Sequence, residues 1–199
     1  MEELIKLYGI RKDFLRERLG RFSELDERDY FKEFIFCLLT PQSNAKKCWS
    51  AVEQIFKSNS FEEEKIREIL KKNTRFHNNK TKYLMDSKRA WSVIKENLSN
   101  VNRKELRNFI SENVKGYGLK EAGHFLRNIG KSDNQIAILD RHILRNLKSF
   151  GVIDKDFIKN KEEYLVMEGK YLKFADKIKI PADELDLLFW SKETGEIFK

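Results

Sequence analysis

A lysine and an aspartate at the starts of two consecutive helical patterns are the residues of this chain best suited to chemistry. Lys120 follows a turn bracketed by Gly116 and Gly118, and Asp140 heads the next helical pattern. A lysine is a nucleophile when its amine is neutral, and a desolvated site with local positive potential lowers its pKa toward that state. A carboxylate can orient or deprotonate the amine and stabilise a developing cation. Lys120 and Asp140 are therefore candidates for a nucleophile and its carboxylate partner.

The spacing of the chain allows these two side chains to meet. A helix from Leu119 to about Ile129 advances roughly 15 Å, and the extended apolar stretch 136–139 with the residues before it can span that length back. By residue type alone, however, Lys120 also fits a solvated helix residue, and Asp140 fits a helix cap.

The glycine-bracketed turn itself is a candidate phosphate site. Gly116 and Gly118 flank Tyr117, a spacing that lets backbone amides point outward toward a phosphate at the helix N-terminus. We predict that these three residues contact a nucleic-acid backbone. Basic side chains expected to assist are Lys115, Arg141, Arg145 and some of Arg75, Lys80 and Lys82.

Composition agrees with a polyanionic partner without proving one. The 199 residues include 40 Lys and Arg against 32 Asp and Glu, a net charge of +8. No apolar run approaches the roughly 18 residues of a membrane span, and the first residues have no signal-peptide core, so we expect a cytoplasmic protein with no membrane contact. Cys37 and Cys48 fall in apolar helical patterns and are expected to be buried, reduced thiols. With two cysteines and three histidines, we expect no metal and no cofactor.

Hydrophobic periodicity indicates an all-α fold with no convincing pair of strands. Ser43 or Asn44 is expected to cap the helix that follows Pro41, and Asn102 begins a capping-box pattern. The chain is long enough for a single compact protein or two small lobes.

Four segments together resemble one known family. VKGYGLKEAGHFLRNIGKSDNQIAILD at 114–140 is similar to the helix-hairpin-helix and downstream aspartate of the endonuclease III superfamily of DNA glycosylases. With LLTPQSNA at 38–45, RFHNNK at 75–80 and FWSKETGEIFK at 189–199, nearly the whole chain resembles the type-2 8-oxoguanine DNA glycosylase/AP lyases. The chain lacks the four-cysteine pattern of the iron–sulfur members of the superfamily.

The resemblance implies a two-lobed helix-hairpin-helix glycosylase fold with a DNA-binding cleft between the lobes. The lobes would be 30–100, and 1–29 together with 101–199. It also implies that the protein removes 8-oxoguanine from double-stranded DNA, and a monomer is the simplest expectation. Lys120 would attack C1′ of the sugar with help from Asp140, and β-elimination would then cleave the strand at the abasic site.

The resemblance also assigns residues that handle the extruded base. Gln42, or else Asn44, would fill the gap left in the duplex. The alternative is that Gln42 only forms a helix-entry turn. Phe76 and Trp190 would stack around the lesion, although by residue type alone an aromatic residue in this chain is more often part of the core. The α-carboxylate of Lys199 would accept hydrogen bonds from the guanine.

Some assignments stay open at this point. The acceptor that reads the N7 hydrogen of 8-oxoguanine is expected to be a backbone carbonyl of the 40–42 loop. His142 either contacts DNA phosphate or is structural. Two other functions fit the same features, namely a noncatalytic helix-hairpin-helix DNA-binding module and a glycosylase for another damaged base.

Overall fold

The computed structural model describes residues 1–58, 60–99, 102–196 and 198. Within these residues it contains ten α-helices and no strand, which confirms the predicted all-α class. The helices are α1 (Glu2–Ser23), α2 (Glu27–Leu39), α3 (Ala45–Lys57), α4 (Glu63–Asn73), α5 (His77–Asn97), α6 (Arg103–Asn113), α7 (Leu119–Asn128), α8 (Arg141–Ser149), α9 (Lys161–Lys177) and α10 (Ala182–Thr194).

Side-chain caps begin several of these helices where the sequence predicts them. The Asn44 side chain accepts a hydrogen bond from the Lys47 amide at 3.1 Å, and the Asn102 side chain accepts one from the Glu105 amide at 3.2 Å. Such caps satisfy amides that have no partner inside the helix. The starts of α3 and α6 are therefore fixed by local sequence.

Backbone contacts divide the chain into two compact units. We call Leu25–Phe125 the central unit, and Met1–Glu24 with Leu126–Lys199 the terminal unit. The lobe boundaries implied by the family resemblance stay a prediction.

The core of the central unit surrounds α2, which packs against α3 and α5. Every residue from position 33 to 39 is buried. The Phe34 ring lies 5.0 Å from the Tyr117 ring and 5.4 Å from the Phe125 ring, measured between centroids. Aromatic rings at these separations add to the stability gained from burial. The hairpin turn is thereby joined to the hydrophobic core through Tyr117.

The core of the terminal unit surrounds α10, which packs against α1, α8 and α9. Arg127 and Asp186 form a buried ion pair of 3.2 Å in this unit. Tyr171 donates a hydrogen bond of 2.6 Å to the carbonyl of Ala182, at the start of α10. These polar contacts fix one face of α10.

Both cysteines of the chain lie in the central unit. Cys37 and Cys48 are both buried and neither is part of a disulfide, which confirms the prediction of reduced thiols. Among the described residues, no helix is both long enough and apolar enough to span a bilayer.

Candidate active site

Lys120 lies in the first turn of α7 and forms an ion pair with its neighbour Glu121. The Nζ atom is 2.8 Å from Oε1 of Glu121, and the two side chains are 27% and 13% exposed. The second carboxylate oxygen, Oε2, accepts a hydrogen bond of 3.1 Å from the Gly118 amide. Glu121 therefore fixes the start of the helix and holds the Lys120 amine at the same time.

Sequence reasoning missed Glu121. Its signal is the acidic residue three positions after Gly118, the spacing from which a carboxylate reaches back to an amide at a helix start. A neighbouring carboxylate favours the charged form of an amine. The amine must therefore lose a proton before it can act as a nucleophile.

The hairpin turn before α7 requires glycine at position 116. Gly116 has a φ of +92°, and a Cβ built there would lie 2.6 Å from Cδ2 of Tyr83. Only glycine adopts this conformation readily and avoids that clash. The turn is therefore shaped by close packing as well as by its hydrogen bonds.

Tyr117 is part of the core. Its hydroxyl donates a hydrogen bond of 2.6 Å to the carbonyl of Phe34, and burial raises the pKa of Tyr117 well above its usual range. The amide of Tyr117 donates to the Val114 carbonyl at 3.1 Å. A DNA contact by Tyr117 would have to be made by its main chain, and the Gly118 amide can bind phosphate only when Glu121 releases it.

Asp140 caps α8, as the sequence predicts. Its Oδ1 atom accepts hydrogen bonds from the amides of His142 at 2.8 Å and Ile143 at 2.9 Å. The preceding stretch 136–139 is buried, and Tyr164 donates a hydrogen bond of 2.6 Å to the carbonyl of Ala137. Asp140 is therefore well anchored within the terminal unit. Its pairing with Lys120, which lies in the central unit, stays a prediction.

Two residues assigned to DNA handling have left-handed backbone conformations. Gln42 is exposed with a φ of 54°, and Phe76 is 57% exposed with a φ of 56°. A bulky residue with positive φ is uncommon, and such strain concentrates at functional sites. The Ser43 hydroxyl oxygen accepts a hydrogen bond of 2.9 Å from the Arg75 amide, which joins the two segments. Asn44, the alternative to Gln42, caps α3.

The environment of Lys80 contradicts the role predicted for it from sequence. The sequence placed it among candidate phosphate-binding residues, but it is only 5% exposed. Its Nζ donates hydrogen bonds to the carbonyls of Leu39 at 2.7 Å and Pro41 at 2.8 Å, and to Oγ of Ser43 at 2.8 Å. Burial, together with the nearby charge of Lys120, lowers the pKa of Lys80 to about 8. Lys80 is thus unavailable to a phosphate in this structure.

The remaining assigned residues lie in the terminal unit. Arg141 is exposed at the first position of α8, and His142 follows it half-buried. The His142 ring meets the half-buried Trp190 ring edge to face, with centroids 6.3 Å apart. The structure therefore brings His142 and Trp190 together. Lys199, the proposed carboxylate contact to the base, lies outside the described residues.

Comparison with known proteins identifies the family. A family model described as 8-oxoguanine DNA glycosylase matches residues 15–180. The chain is 40% identical to the 8-oxoguanine DNA glycosylase/AP lyase of Fusobacterium nucleatum, with 99% of this chain and 96% of that protein covered. It is 34% identical to the protein of the same name from Sulfolobus acidocaldarius, with 89% and 88% covered.

Solved structures agree with the sequence comparisons. The 8-oxoguanine DNA glycosylase of Thermotoga maritima is 29% identical with a TM-score of 0.86, and covers 100% of this chain and 97% of its own. The Methanocaldococcus jannaschii 8-oxoguanine glycosylase/lyase in complex with a 15mer DNA containing 8-oxoguanine is 30% identical with a TM-score of 0.88 over 100% of both chains. From the family match and these full-length similarities, we conclude that the chain belongs to the 8-oxoguanine DNA glycosylase family.

Proposed function

We propose that this protein removes 8-oxoguanine from double-stranded DNA and then cleaves the strand at the resulting abasic site, acting as a monomer in the cytoplasm. The observation that carries the proposal is the position of Lys120. Its amine lies in the first turn of α7, directly after the hairpin turn, in a chain that belongs to this family. The M. jannaschii relative, which is similar over its full length, is in complex with DNA that contains the lesion.

Base removal begins when Lys120 gives up its proton. We infer that the carboxylate of Asp140 orients or deprotonates the amine. Glu121, whose carboxylate oxygen is 2.8 Å from the amine, holds the ammonium form before the reaction. The Lys120 nitrogen then forms a bond to C1′ of the deoxyribose, and the bond from C1′ to the base breaks with its electron pair leaving on the base. The carboxylate of Asp140 stabilises the positive charge that develops on the sugar.

Strand cleavage uses the same covalent intermediate. Opening of the sugar ring gives an imine between C1′ and the Lys120 nitrogen. Loss of a proton from C2′ then expels the 3′ phosphate as the leaving group. One amine thus accounts for base excision and for strand cleavage.

Access to the base requires its extrusion from the duplex, which costs a few kcal/mol. We propose that Gln42 fills the resulting gap and that Phe76 and Trp190 stack on bases. Two observations favour this assignment, namely the exposure of Gln42 and Phe76 and their strained backbone. The α-carboxylate of Lys199 is proposed to accept hydrogen bonds from the guanine. One residue added after Lys199 should then reduce excision, and undiminished excision would refute that role.

Borohydride trapping tests the nucleophile. Borohydride should reduce the imine and cross-link the wild-type protein to DNA that contains 8-oxoguanine. Lys120→Gln should bind this DNA but form no cross-link, whereas Lys71→Gln, at an exposed position of α4, should match the wild type. A cross-link formed by Lys120→Gln would rule out this assignment.

Comparison of damaged duplexes tests the substrate. Duplexes that carry 8-oxoguanine, an oxidised pyrimidine or a mismatched thymine should show release of 8-oxoguanine at the highest rate. Faster release of another base would identify a glycosylase for that lesion. Binding without release of any base would indicate a noncatalytic DNA-binding module.

A further inference from the structure

The buried ammonium of Lys80 is fully used in one network of hydrogen bonds. It has three N–H donors and three acceptors within 2.8 Å, namely the Leu39 carbonyl, the Pro41 carbonyl and Oγ of Ser43. A charged amine removed from water is tolerated when such bonds replace its hydration. An apolar side chain of similar size could therefore fill the space of Lys80 but could not form these three hydrogen bonds.

The acceptors are distributed along the segment that carries Gln42. Leu39 is the last residue of α2, and the final carbonyls of a helix lack partners within it. The positive charge of Lys80 is also favourable at that helix end. The other two acceptors, on Pro41 and Ser43, are the immediate neighbours of Gln42. Lys80 thus holds the backbone carbonyl before Gln42 and the side chain after it.

Ser43 extends this network to the second strained residue. Its Oγ accepts hydrogen bonds from Nζ of Lys80 at 2.8 Å and from the Arg75 amide at 2.9 Å. Arg75 directly precedes Phe76, which is the left-handed residue at the start of α5. Left-handed conformations at such residues persist only when the surrounding structure holds them. The Ser43 hydroxyl, which follows Gln42, therefore connects the Lys80 ammonium to the amide of Arg75, which precedes Phe76.

We propose that Lys80 and Ser43, here named the Lys80–Ser43 lock, position Gln42 and Phe76 for extrusion of the damaged base. This inference rests on the proposed function, in which these two residues contact the duplex. Lys80 is a positioning residue, because its three donors are occupied by the protein and it acts through the backbone beside Gln42. The lock matters for opening the duplex, whereas the chemistry at C1′ belongs to Lys120.

The test compares two DNA substrates that differ in their need for extrusion. One duplex contains 8-oxoguanine, and the other contains a preformed abasic site, where little pairing or stacking opposes extrusion. With enzyme in excess, Lys80→Met should excise 8-oxoguanine about 10- to 100-fold more slowly, since small misplacements of positioning groups have effects of this size. Its cleavage of the abasic duplex should stay within about threefold of wild type, because Lys120 is intact.

Ser43→Ala gives a second measurement if Lys80→Met folds poorly. It removes the hydroxyl shared by Lys80 and Arg75 and leaves both carbonyl acceptors, so we expect an intermediate loss of about 3- to 10-fold on 8-oxoguanine alone. A 2-aminopurine beside the lesion reports unstacking, and its fluorescence rise should shrink in both variants at saturating protein. Lys71→Met, at an exposed position of α4, is the matched control and should behave as wild type.

Each outcome of these measurements supports or contradicts the positioning role of Lys80 and Ser43. Slower excision with retained abasic cleavage supports the lock. Equal losses on both substrates, or no loss on either, would overturn it. A wild-type protein that released no 8-oxoguanine would instead refute the proposed function, and with it the role of the lock in that reaction.

Discussion

Two lysines of the central unit have opposite environments. Lys80 is 5% exposed and donates to two main-chain carbonyls and one hydroxyl. The Lys120 side chain is 27% exposed and pairs with the side chain of Glu121. The same functional group is thus held by fixed acceptors in one case and by a rotatable carboxylate in the other.

This difference agrees with a structural role for Lys80 and with the nucleophilic role proposed for Lys120. Carbonyls at a helix end cannot move away from Lys80 without unfolding the segment that contains them. The Glu121 carboxylate, by contrast, can turn away from Lys120 by rotation of its side chain alone. A nucleophile needs a partner that can move away, such as the Glu121 carboxylate. A positioning residue needs partners that stay in place, such as the carbonyls of Leu39 and Pro41.

The largest effect expected from this comparison is on stability. Lys80→Met removes three hydrogen bonds of a buried ammonium, each worth about 1 kcal/mol, and should lower the free energy of unfolding by about 2–4 kcal/mol. Lys120→Gln, at a partly exposed position, should change it by no more than about 0.5 kcal/mol. Urea unfolding of both variants measures the difference. Equal losses would show that the two environments are energetically alike.

Gly116→Ala extends the comparison to the turn that carries Lys120. The new Cβ would meet Tyr83, and the left-handed backbone would be strained, so the free energy of unfolding should fall by about 1–3 kcal/mol. Gly9→Ala is the control, because Gly9 lies within α1 and an added Cβ would have nothing beyond the backbone of its own helix within 4 Å. A gain of about 0.5–1 kcal/mol is expected there. An unchanged Gly116→Ala protein would mean that packing does not constrain the turn.

The pH dependence of stability should reveal the buried ammonium. The pKa of Lys80 is about 8 in the folded protein and takes the ordinary lysine value of 10.5 once unfolded, so between these values the unfolded chain holds more protons. The stability of the wild type relative to Lys80→Met should therefore rise from pH 8 to 10.5, by about 3 kcal/mol, since each pKa unit is worth about 1.4 kcal/mol. Below pH 8 the difference should be constant. If the stability difference between the two proteins did not change between pH 8 and 10.5, the Lys80 amine would be exposed to water.

The smallest expected effect concerns Glu121. Glu121→Gln removes the carboxylate that favours the charged form of Lys120, so more of the amine is neutral near pH 6. Imine trapping with a preformed abasic site should then be up to about fivefold faster at that pH, the change expected for loss of one ion pair worth about 0–1 kcal/mol. If trapping instead slows at every pH, Glu121 is required as the acceptor of the proton. Glu68→Gln, on α4, serves as a control for removal of an acidic side chain.

Much of the secondary structure could be predicted because it depends on residues close in sequence. The caps by Asn44, Asn102 and Asp140 each use an amide two or three positions ahead. The 3.6-residue period of apolar side chains likewise indicates the all-α class without knowledge of what those side chains contact. The position of Lys120 at a helix start follows from the same local pattern.

Long-range contacts explain where the sequence analysis was incomplete. Lys80 looks like any surface lysine in the sequence, but its acceptors lie 37 to 41 residues earlier in the chain. Tyr117 reaches a carbonyl 83 residues away, so its burial is invisible in the turn itself. The sequence alone determined the helices and their caps, because those depend on neighbouring residues. Only tertiary structure decided which lysine is buried, because burial depends on distant segments that folding brings together.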